Sequence, residues 1–399
     1  MNSWQEYSLG ELLPYEQPTP YIVGSTDYND NYKTPVLTAG KSFIIGYTNE
    51  PNGIYDKVPV IIFDDFTTST QYVNFPFKVK SSAMKILTAN TDLVLPKFIF
   101  YRMQLIEFDH STHKRYWIQQ YSKIKVRIPL LKEQKRIVAK IEELFSELDD
   151  GVETLKKIKQ QLAVYRQAVL KAAFEGKFTS HLACKIRVES ASADETKSLP
   201  DIPQEWCYVA LSKLGDLGRG KSRHRPRNDP RLFDGGKYPF LQTSEVKTAK
   251  KCITEFSRKY GDFGLQQSKL WPKGTLCITI AANIAETAFL GVDACFPDSV
   301  VGFTPYEFVL PEYIKYFIES QKLRLWAFAP ATAQKNINLD TLENLIVPYC
   351  DKEEQESIIS EIDSRMTICD SIERTVDAAL QQAEAMRQSI LKKAFEGEL

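Results

Sequence analysis

The sequence EQKRIVAKIEELF at residues 133–145 is repeated in related form as EQESIISEIDSRM at residues 354–366. Both copies begin with Glu-Gln and continue with apolar residues at matching places. Both also end on similar tails, RQAVLKAAFEGKF at residues 166–178 and RQSILKKAFEGEL at residues 387–399. The offset between matched residues is constant, so the two copies are a duplicated unit and the fold has to be interpreted in halves.

Apolar periodicity predicts that each copy is a long helix. Apolar residues follow one another at spacings of three and four, the heptad pattern of a helix that packs against another helix. Neither copy contains a proline. Each helix should therefore run for roughly 40 residues, or ~60 Å. The predicted helix-pair interface consists of Ile137, Ile141, Leu144, Leu148, Leu155, Ile158, Leu162, Ile358, Ile362, Ile372, Val376 and Met386.

The apolar stripe of such a helix needs a partner, because helical stability comes mostly from packing that stripe. The other copy in the same chain is the nearest candidate. A whole globular stretch separates the two copies, which favours an antiparallel pair. Such a pair would have pseudo-twofold symmetry, with the two preceding domains at opposite ends.

The stretches before the two helices share landmarks. Trp4 and Leu9 are matched by Trp206 and Leu211, and LVLPKFIF is matched by FVLPEYIKYF. The fold class predicted is α+β, with two mixed α/β globular domains, each followed by a long helix of an antiparallel coiled-coil spacer. The predicted parts are a first globular domain at 1–128, a first helix at 129–178, a linker at 179–203, a second globular domain at 204–346 and a second helix at 347–399.

Composition excludes some classes of protein and leaves others open. The chain has 399 residues, and its 51 basic and 51 acidic side chains give no net charge. Any nucleic-acid surface must therefore come from local clustering. The seven cysteines are scattered without a CxxC pair, which is typical of reduced thiols. Without a signal peptide or an apolar run long enough to span a membrane, we expect a soluble cytoplasmic protein with no membrane partner.

Two motifs suggest chemistry that their context does not support. GDLGRGKS at residues 215–222 fits the Walker A pattern, which requires a helix after it whose N-terminus binds phosphate. Pro226 and Pro230 stand where that helix should be. HSTH at residues 110–113 has no third metal ligand nearby. We therefore expect no catalytic residue, no metal site and no nucleotide site in this chain.

The densest basic run is RGKSRHRPRNDPR at residues 219–231. With its prolines and glycine it is predicted to be a surface loop, either merely solvated or used to hold nucleic acid. Arginine pairs bidentately with phosphate and with the edge of guanine, which is the basis of the second interpretation. The first domain has no equal run, only Lys41 in TAGKSF together with Lys78, Lys80 and Lys85.

With these helices the chain resembles the specificity subunits of type I restriction–modification enzymes. The resemblance is carried by LLKEQKRIVAKIEELF at 130–145, by DKEEQESIISEIDSRM at 351–366, by the two AFEG tails and by WCYVALSKLGDLGRGKS at 206–222. It implies two target-recognition domains, each of which reads half of a bipartite site in double-stranded DNA. The predicted DNA-binding residues are Lys41, Arg219, Lys221, Ser222, Arg223, His224, Arg225, Arg227, Arg231, Thr243 and Asn283.

The resemblance also implies partners and their cofactors. Two methyltransferase subunits would dock on the pseudo-dyad, and separate restriction and translocase subunits would join them. This non-catalytic subunit would carry no cofactor, with S-adenosylmethionine and ATP with Mg²⁺ on the partners. Because the two recognition domains differ in sequence, we expect them to recognise two different half-sites, so the DNA target should be asymmetric. Two alternatives are a coiled-coil scaffolding protein whose globular ends bind proteins, and an enzyme that holds a nucleotide at residues 215–222.

Overall fold

The chain forms two compact units in the computed structural model, which describes residues 4–40, 42–108, 115–179, 188–249, 251–281, 283–328 and 336–399. The first unit comprises Met1–Lys157 and Val376–Leu399, and the second comprises Ile158–Thr375. The division passes through both long helices, so each unit contains one globular domain and a part of each helix. The bounds of the five predicted parts stay predictions.

In its described residues the first unit has nine strands, four α-helices that begin in it, and the end of a fifth that begins in the second unit. In chain order these are β1 (Gln5–Ser8), α1 (Leu9–Leu12), β2 (Tyr15–Glu16), β3 (Thr34–Leu37), β4 (Ile44–Thr48), β5 (Val60–Asp64), β6 (Thr70–Val73), β7 (Lys78–Val79), β8 (Met84–Leu87), α2 (Pro96–Met103), α3 (Tyr116–Gln119), β9 (Lys125–Ile128) and α4 (Leu131–Phe174), which continues into the second unit. They form a four-stranded sheet in the order β2-β8-β5-β6, a three-stranded sheet in the order β4-β3-β7, and the antiparallel pair β1-β9.

The second unit has eleven strands and several short helices in its described residues. These are α5 (Ala193–Thr196), β10 (Cys207–Ala210), β11 (Gly215–Arg219), β12 (Tyr238–Phe240), α6 (Thr243–Thr248), β13 (Cys252–Ile253), β14 (Arg258–Tyr260), α7 (Asp262–Gln266), β15 (Leu270–Trp271), β16 (Leu276–Thr279), β17 (Thr287–Leu290), β18 (Ala294–Cys295), β19 (Val300–Pro305), α8 (Pro311–Ser320), α9 (Lys322–Phe328), α10 (Leu339–Glu343), β20 (Ile346–Tyr349) and α11 (Lys352–Glu396), which continues into the first unit. Its sheets are β11-β19-β16-β17-β13, β14-β12-β18-β15 and the pair β10-β20.

A strand pair of the same register stands before each long helix. In the first unit Gln5 lies opposite Ile128, and in the second Cys207 lies opposite Tyr349. α2 and α8 also correspond, since each begins with a proline after an extended leucine. The two units therefore share one frame, although their larger sheets differ in strand number and order. The predicted α+β class with two domains and a helical spacer is confirmed.

The long helices pair antiparallel within each unit. In the second unit Arg166 of α4 donates to Asp370 (2.7 Å) and to Glu373 (3.0 Å) of α11. Lys159, earlier on α4, has its Nζ 3.9 Å from a carboxylate oxygen of Glu373. Residue numbers therefore increase along α4 in the direction in which they decrease along α11, which makes the pair antiparallel. In the first unit Asp149 of α4 forms an ion pair with Arg387 of α11.

The repeated AFEG tails anchor the ends of the helices in the domain cores. Phe174 packs edge-on against Tyr313 and Phe317 of α8 in the core of the second unit. Phe395 packs in the same way against Phe98 of α2 in the core of the first unit. The glycine of each tail has a positive φ, 72° at Gly176 and 81° at Gly397, a conformation that favours glycine at the end of a helix.

Burial corrects the predicted helix-pair interface in α11. Most of the predicted positions are buried or half-buried, but Ile372 and Met386 are 40% and 46% exposed. The partner-facing positions beside them belong to Glu373 and Arg387, which form the ion pairs with α4. At these two turns the apolar residue is exposed, and the charged residue next to it faces α4. Hydrophobicity alone therefore predicted the wrong residue for the interface.

The buried stripe of α4 generates a test of the helix pair. Leu162 is buried, whereas Val164 on the same helix is 71% exposed. Leu162→Asp should lower the free energy of unfolding by about 2–4 kcal/mol, because it buries an unpaired carboxylate. Val164→Asp is the matched control and should change stability by less than about 0.5 kcal/mol. Denaturant unfolding of both variants checks this, and equal stabilities would contradict the packing of α4 on α11.

Candidate nucleic-acid interface

The basic run of residues 219–231 begins at the last residue of β11, Arg219, in the second unit. β11 pairs antiparallel with β19, with Arg219 opposite Val301. The Gly220 amide donates to the Val300 carbonyl (2.9 Å), and this hydrogen bond extends the pairing with β19 by one residue beyond the end of β11. The loop therefore leaves a sheet edge from a fixed position.

The glycines of the Walker-like motif serve close packing. A Cβ on Gly218 would lie 2.8 Å from the Trp271 ring, and a Cβ on Gly220 would lie 2.3 Å from the carbonyl oxygens of Phe296 and Pro297. Described residues 220–229 form no helix, and the next one is a 3₁₀ turn at Pro230–Leu232. The loop thus lacks the helix N-terminus with which a P-loop binds phosphate.

Asp229 holds the loop together from inside. Its carboxylate accepts from the Arg231 guanidinium (2.7 Å) and amide (3.0 Å), and it contacts His224 Nε2 at 2.8 Å. Arg231, and after it His224, hold the pKa of the Asp229 carboxyl well below its usual range. The His224 ring also packs edge-on against Phe263, with ring centroids 5.3 Å apart. These contacts give the loop a defined shape.

Asp298 ties the same loop to the segment before β19. The Arg227 guanidinium donates to its carboxylate (2.9 Å), and the Arg219 guanidinium donates twice to its backbone carbonyl (3.0 and 2.8 Å). Arg225 folds back onto the carbonyls of Ser222 (2.5 Å) and His224 (2.9 Å). The arginines at 219, 225, 227 and 231 thus all have partners within the protein.

Lys221 and Arg223 differ from those arginines. Both are exposed, and neither side chain forms a hydrogen bond or ion pair with any residue that the structure describes. Their backbone is fixed, because the Ser268 hydroxyl donates to the Lys221 carbonyl (2.7 Å) and the Arg223 amide donates to the Gln267 carbonyl (3.1 Å). Two uncompensated cations therefore stand on an ordered backbone.

The remaining predicted positions in the second unit are less accessible. Ser222 is buried and its side chain hydrogen-bonds Tyr260, while His224 is half-buried against Asp229, so both are less accessible than Lys221 and Arg223, and DNA contact by either stays a prediction. Thr243 is the half-buried first residue of α6. Asn283 is half-buried in the turn before β17, where its carbonyl accepts from the Thr279 hydroxyl. DNA contact by Thr243 and Asn283 stays a prediction.

Two of the lysines considered in the first domain serve its core. Lys85 and Asp65 form an ion pair at 3.0 Å in which neither side chain is exposed, and Lys78 is buried beside Glu50 at 2.9 Å. Lys41 lies outside the described residues, as does the HSTH stretch at 110–113. Among the described residues no group of three His, Cys, Asp or Glu side chains could hold a metal ion. None of the helices searched in that part of the chain is long and apolar enough to cross a membrane.

Comparisons with known proteins agree on one family. A model described as "Type I restriction modification DNA specificity domain" matches residues 1–163 and 203–382. The specificity subunit of the type I restriction enzyme EcoR124I/EcoR124II from Escherichia coli is 31% identical over 381 residues, which cover 91% of this chain and 87% of that one. The EcoKI specificity subunit from Escherichia coli K12 is 27% identical over 289 residues, 69% of this chain and 58% of that one.

Solved structures share the fold at lower identity. A chain solved in a study of the assembly and conformational transition of the type I R-M system gives a TM-score of 0.71 at 17% identity, and covers 100% of this chain and 99% of that one. HsdS from Thermoanaerobacter tengcongensis gives 0.52 at 18% identity, with coverage of 100% and 98%. At these identities the likeness shows the fold alone.

The anchoring role of Asp229 can be tested by exchange of backbone amides. Asp229→Asn removes the charge that holds Arg231 and His224, so residues 221–232 should exchange faster at neutral pH. Because the native pKa of Asp229 is depressed, its stabilisation is present above the usual carboxyl pKa and is lost as the pH falls through the depressed value. The difference between variant and wild type should therefore shrink in strong acid. Asp234→Asn, at an exposed carboxylate nearby, is the control and should leave exchange unchanged.

Proposed function

The chain belongs to the family of type I restriction–modification DNA specificity subunits, and on that premise we propose that each of its two units reads one half of a bipartite DNA site. The family match confirms the prediction of a non-catalytic specificity subunit and overrides the scaffolding alternative. The loop at residues 215–222 lacks a helix N-terminus for a phosphate, which counts against the nucleotide-binding alternative.

One observation carries the proposal of two separate readers. The units share their frame, namely the strand pair of one register, the Pro-started helix and the long helix that follows. The sheets built on that frame differ, four and three strands in one unit against five and four in the other. A shared frame with different readers suits a target whose two half-sites have different sequences.

Partner subunits and their cofactors extend the proposal. Two methyltransferase subunits would dock on the helix pair, and restriction and translocase subunits would complete an assembly in the cytoplasm. S-adenosylmethionine and ATP with Mg²⁺ would be bound by those partners. Exposed apolar side chains on the helices support a docking surface there, since Ile368 and Ile372 lie one turn apart on α11 and are 57% and 40% exposed.

Within the second unit, Lys221 and Arg223 are the cations we assign to the DNA backbone. Phosphate contacts make up most of a protein's non-specific affinity, and each one releases a condensed counterion. The arginines tied to Asp229 and Asp298 would have to break an internal contact before they could bind phosphate. Lys221 and Arg223 have no such contact to lose in the described part of the chain.

Salt-titrated DNA binding by the assembled methyltransferase tests this assignment. Lys221→Gln and Arg223→Gln should each weaken binding about equally on all sequences and reduce the slope of log K against log salt by about 0.9. Lys213→Gln, in the 3₁₀ turn before β11, removes the same charge at the other end of that strand and should leave the slope unchanged. If Lys213→Gln reduces the slope as much as the other two variants do, only net charge matters and the assignment of Lys221 and Arg223 is wrong. Loss of ATP binding in Lys221→Gln would instead favour a nucleotide site.

Domain exchange tests the proposed function as a whole. Replacing residues 1–127 with the first domain of another type I system should change one half-site of the methylated sequence and leave the other intact. Replacing residues 204–346 should change only the other half-site. Methylome sequencing of hosts that express each hybrid gives the result. Hybrids in which both half-sites change together would contradict independent reading.

A further inference from the structure

A glutamine is completely buried at the start of the first long helix. Gln134 accepts a hydrogen bond from the Leu95 amide at its Oε1 (2.8 Å). Its Nε2 donates to the carbonyls of Leu93 (2.9 Å) and Pro129 (2.8 Å). One side chain therefore joins the first turn of α4, the end of β9 and the N-terminus of α2.

The second unit repeats this arrangement with different surroundings. Gln355 is also completely buried, and its Oε1 accepts from the Leu310 amide (2.8 Å). Its Nε2 donates to the carbonyls of Phe308 (3.3 Å) and Cys350 (2.8 Å). These are the positions that correspond to Leu93 and Pro129. We call the two arrangements the glutamine clamps.

Only a primary amide on a side chain of this length supplies both functions. Each clamp uses one acceptor and two donors, which is the full donor set of a glutamine amide. Glutamate cannot donate when ionised, and methionine or leucine would remove the hydrogen-bond partner of one amide and two carbonyls around a completely buried side chain. Such groups cost free energy when buried, so the two clamps favour one arrangement of helix and domain over nearby ones.

We propose that Gln134 and Gln355 are positioning residues that fix the angle between each long helix and its recognition domain, and thereby set how strictly the gap between half-sites is read. This inference rests on the proposed function. A helix of 44 residues is ~66 Å long, so a rotation of about 3° at its root moves its far end by about 3.4 Å, the rise of one base-pair step. A loosened clamp would therefore allow the gap between the half-sites to vary by about one base pair.

The test measures methylation by the assembled complex on three duplexes with the native gap, one base pair fewer and one more. Wild type should prefer the native gap. Gln134→Met and Gln355→Met should each reduce that preference by about tenfold, which corresponds to ~1.4 kcal/mol, while base preference within the half-sites stays unchanged. Lower stability alone would reduce methylation of all three duplexes equally.

Two controls separate a clamp effect from a general one. Glu133→Gln alters the half-buried neighbour of Gln134, a side chain that pairs only with Arg136 among the described residues. This variant should keep the wild-type gap preference. Amide exchange at Leu95 should rise in Gln134→Met alone, and exchange at Leu310 in Gln355→Met alone. Each clamp is thus the internal reference for the other.

A variant with a titratable clamp guards against failure to fold. In Gln134→Glu the protonated side chain can donate to one of the two carbonyls, whereas the ionised side chain can donate to neither. Gap preference should therefore recover as the pH falls and fade as the pH rises. Gap preference that stays at the wild-type ratio in the Met variants despite faster Leu95 exchange overturns the inference. Wild-type methylation that ignores the gap overturns the proposed function, and the role of the clamps with it.

Discussion

A long helix cannot bury its apolar stripe alone, and the rest of this structure depends on that constraint. α4 begins in the core of the first unit through Ile137 and Ile141 and ends in the core of the second through Ala173 and Phe174. α11 begins in the core of the second unit and ends in the core of the first. The ends of each helix are held by domain cores, and the middle is held by the other helix. Duplication satisfies the constraint at every point, because each copy supplies the partner that the other needs.

The sequence predicted the frame well, because the frame follows from local patterns. Heptad spacing and the absence of proline from 130–177 and 349–399 predicted two long helices, placed at 129–178 and 347–399, and the structure has them at Leu131–Phe174 and Lys352–Glu396. The interface was harder to predict. Whether Ile372 or its neighbour Glu373 faces α4 is decided by the ion pair with Arg166, a contact between residues far apart in the chain.

The candidate site shows the same limit more strongly. The basic run at 219–231 was found from composition, but composition cannot tell a free cation from a paired one. Asp298 neutralises Arg227 from a distant segment, and no local pattern marks it. The glutamine clamps were visible only as the repeated Glu-Gln pair at the head of each helix. Their role depends on backbone groups of a second element that no periodicity identifies.

The anchoring of Phe395 has a consequence for how the chain is made. The second unit is one continuous run, Ile158–Thr375, whereas the first is assembled from Met1–Lys157 and Val376–Leu399. The core of the first unit includes Leu391, Ala394 and Phe395. Domains usually fold in the order of their synthesis, but here the domain translated first is the last to be completed. Until the turns of α11 around Phe395 have been synthesised, the hydrophobic surface around Phe98 lacks its cover. Hydrophobic surface that is exposed during synthesis is prone to aggregation.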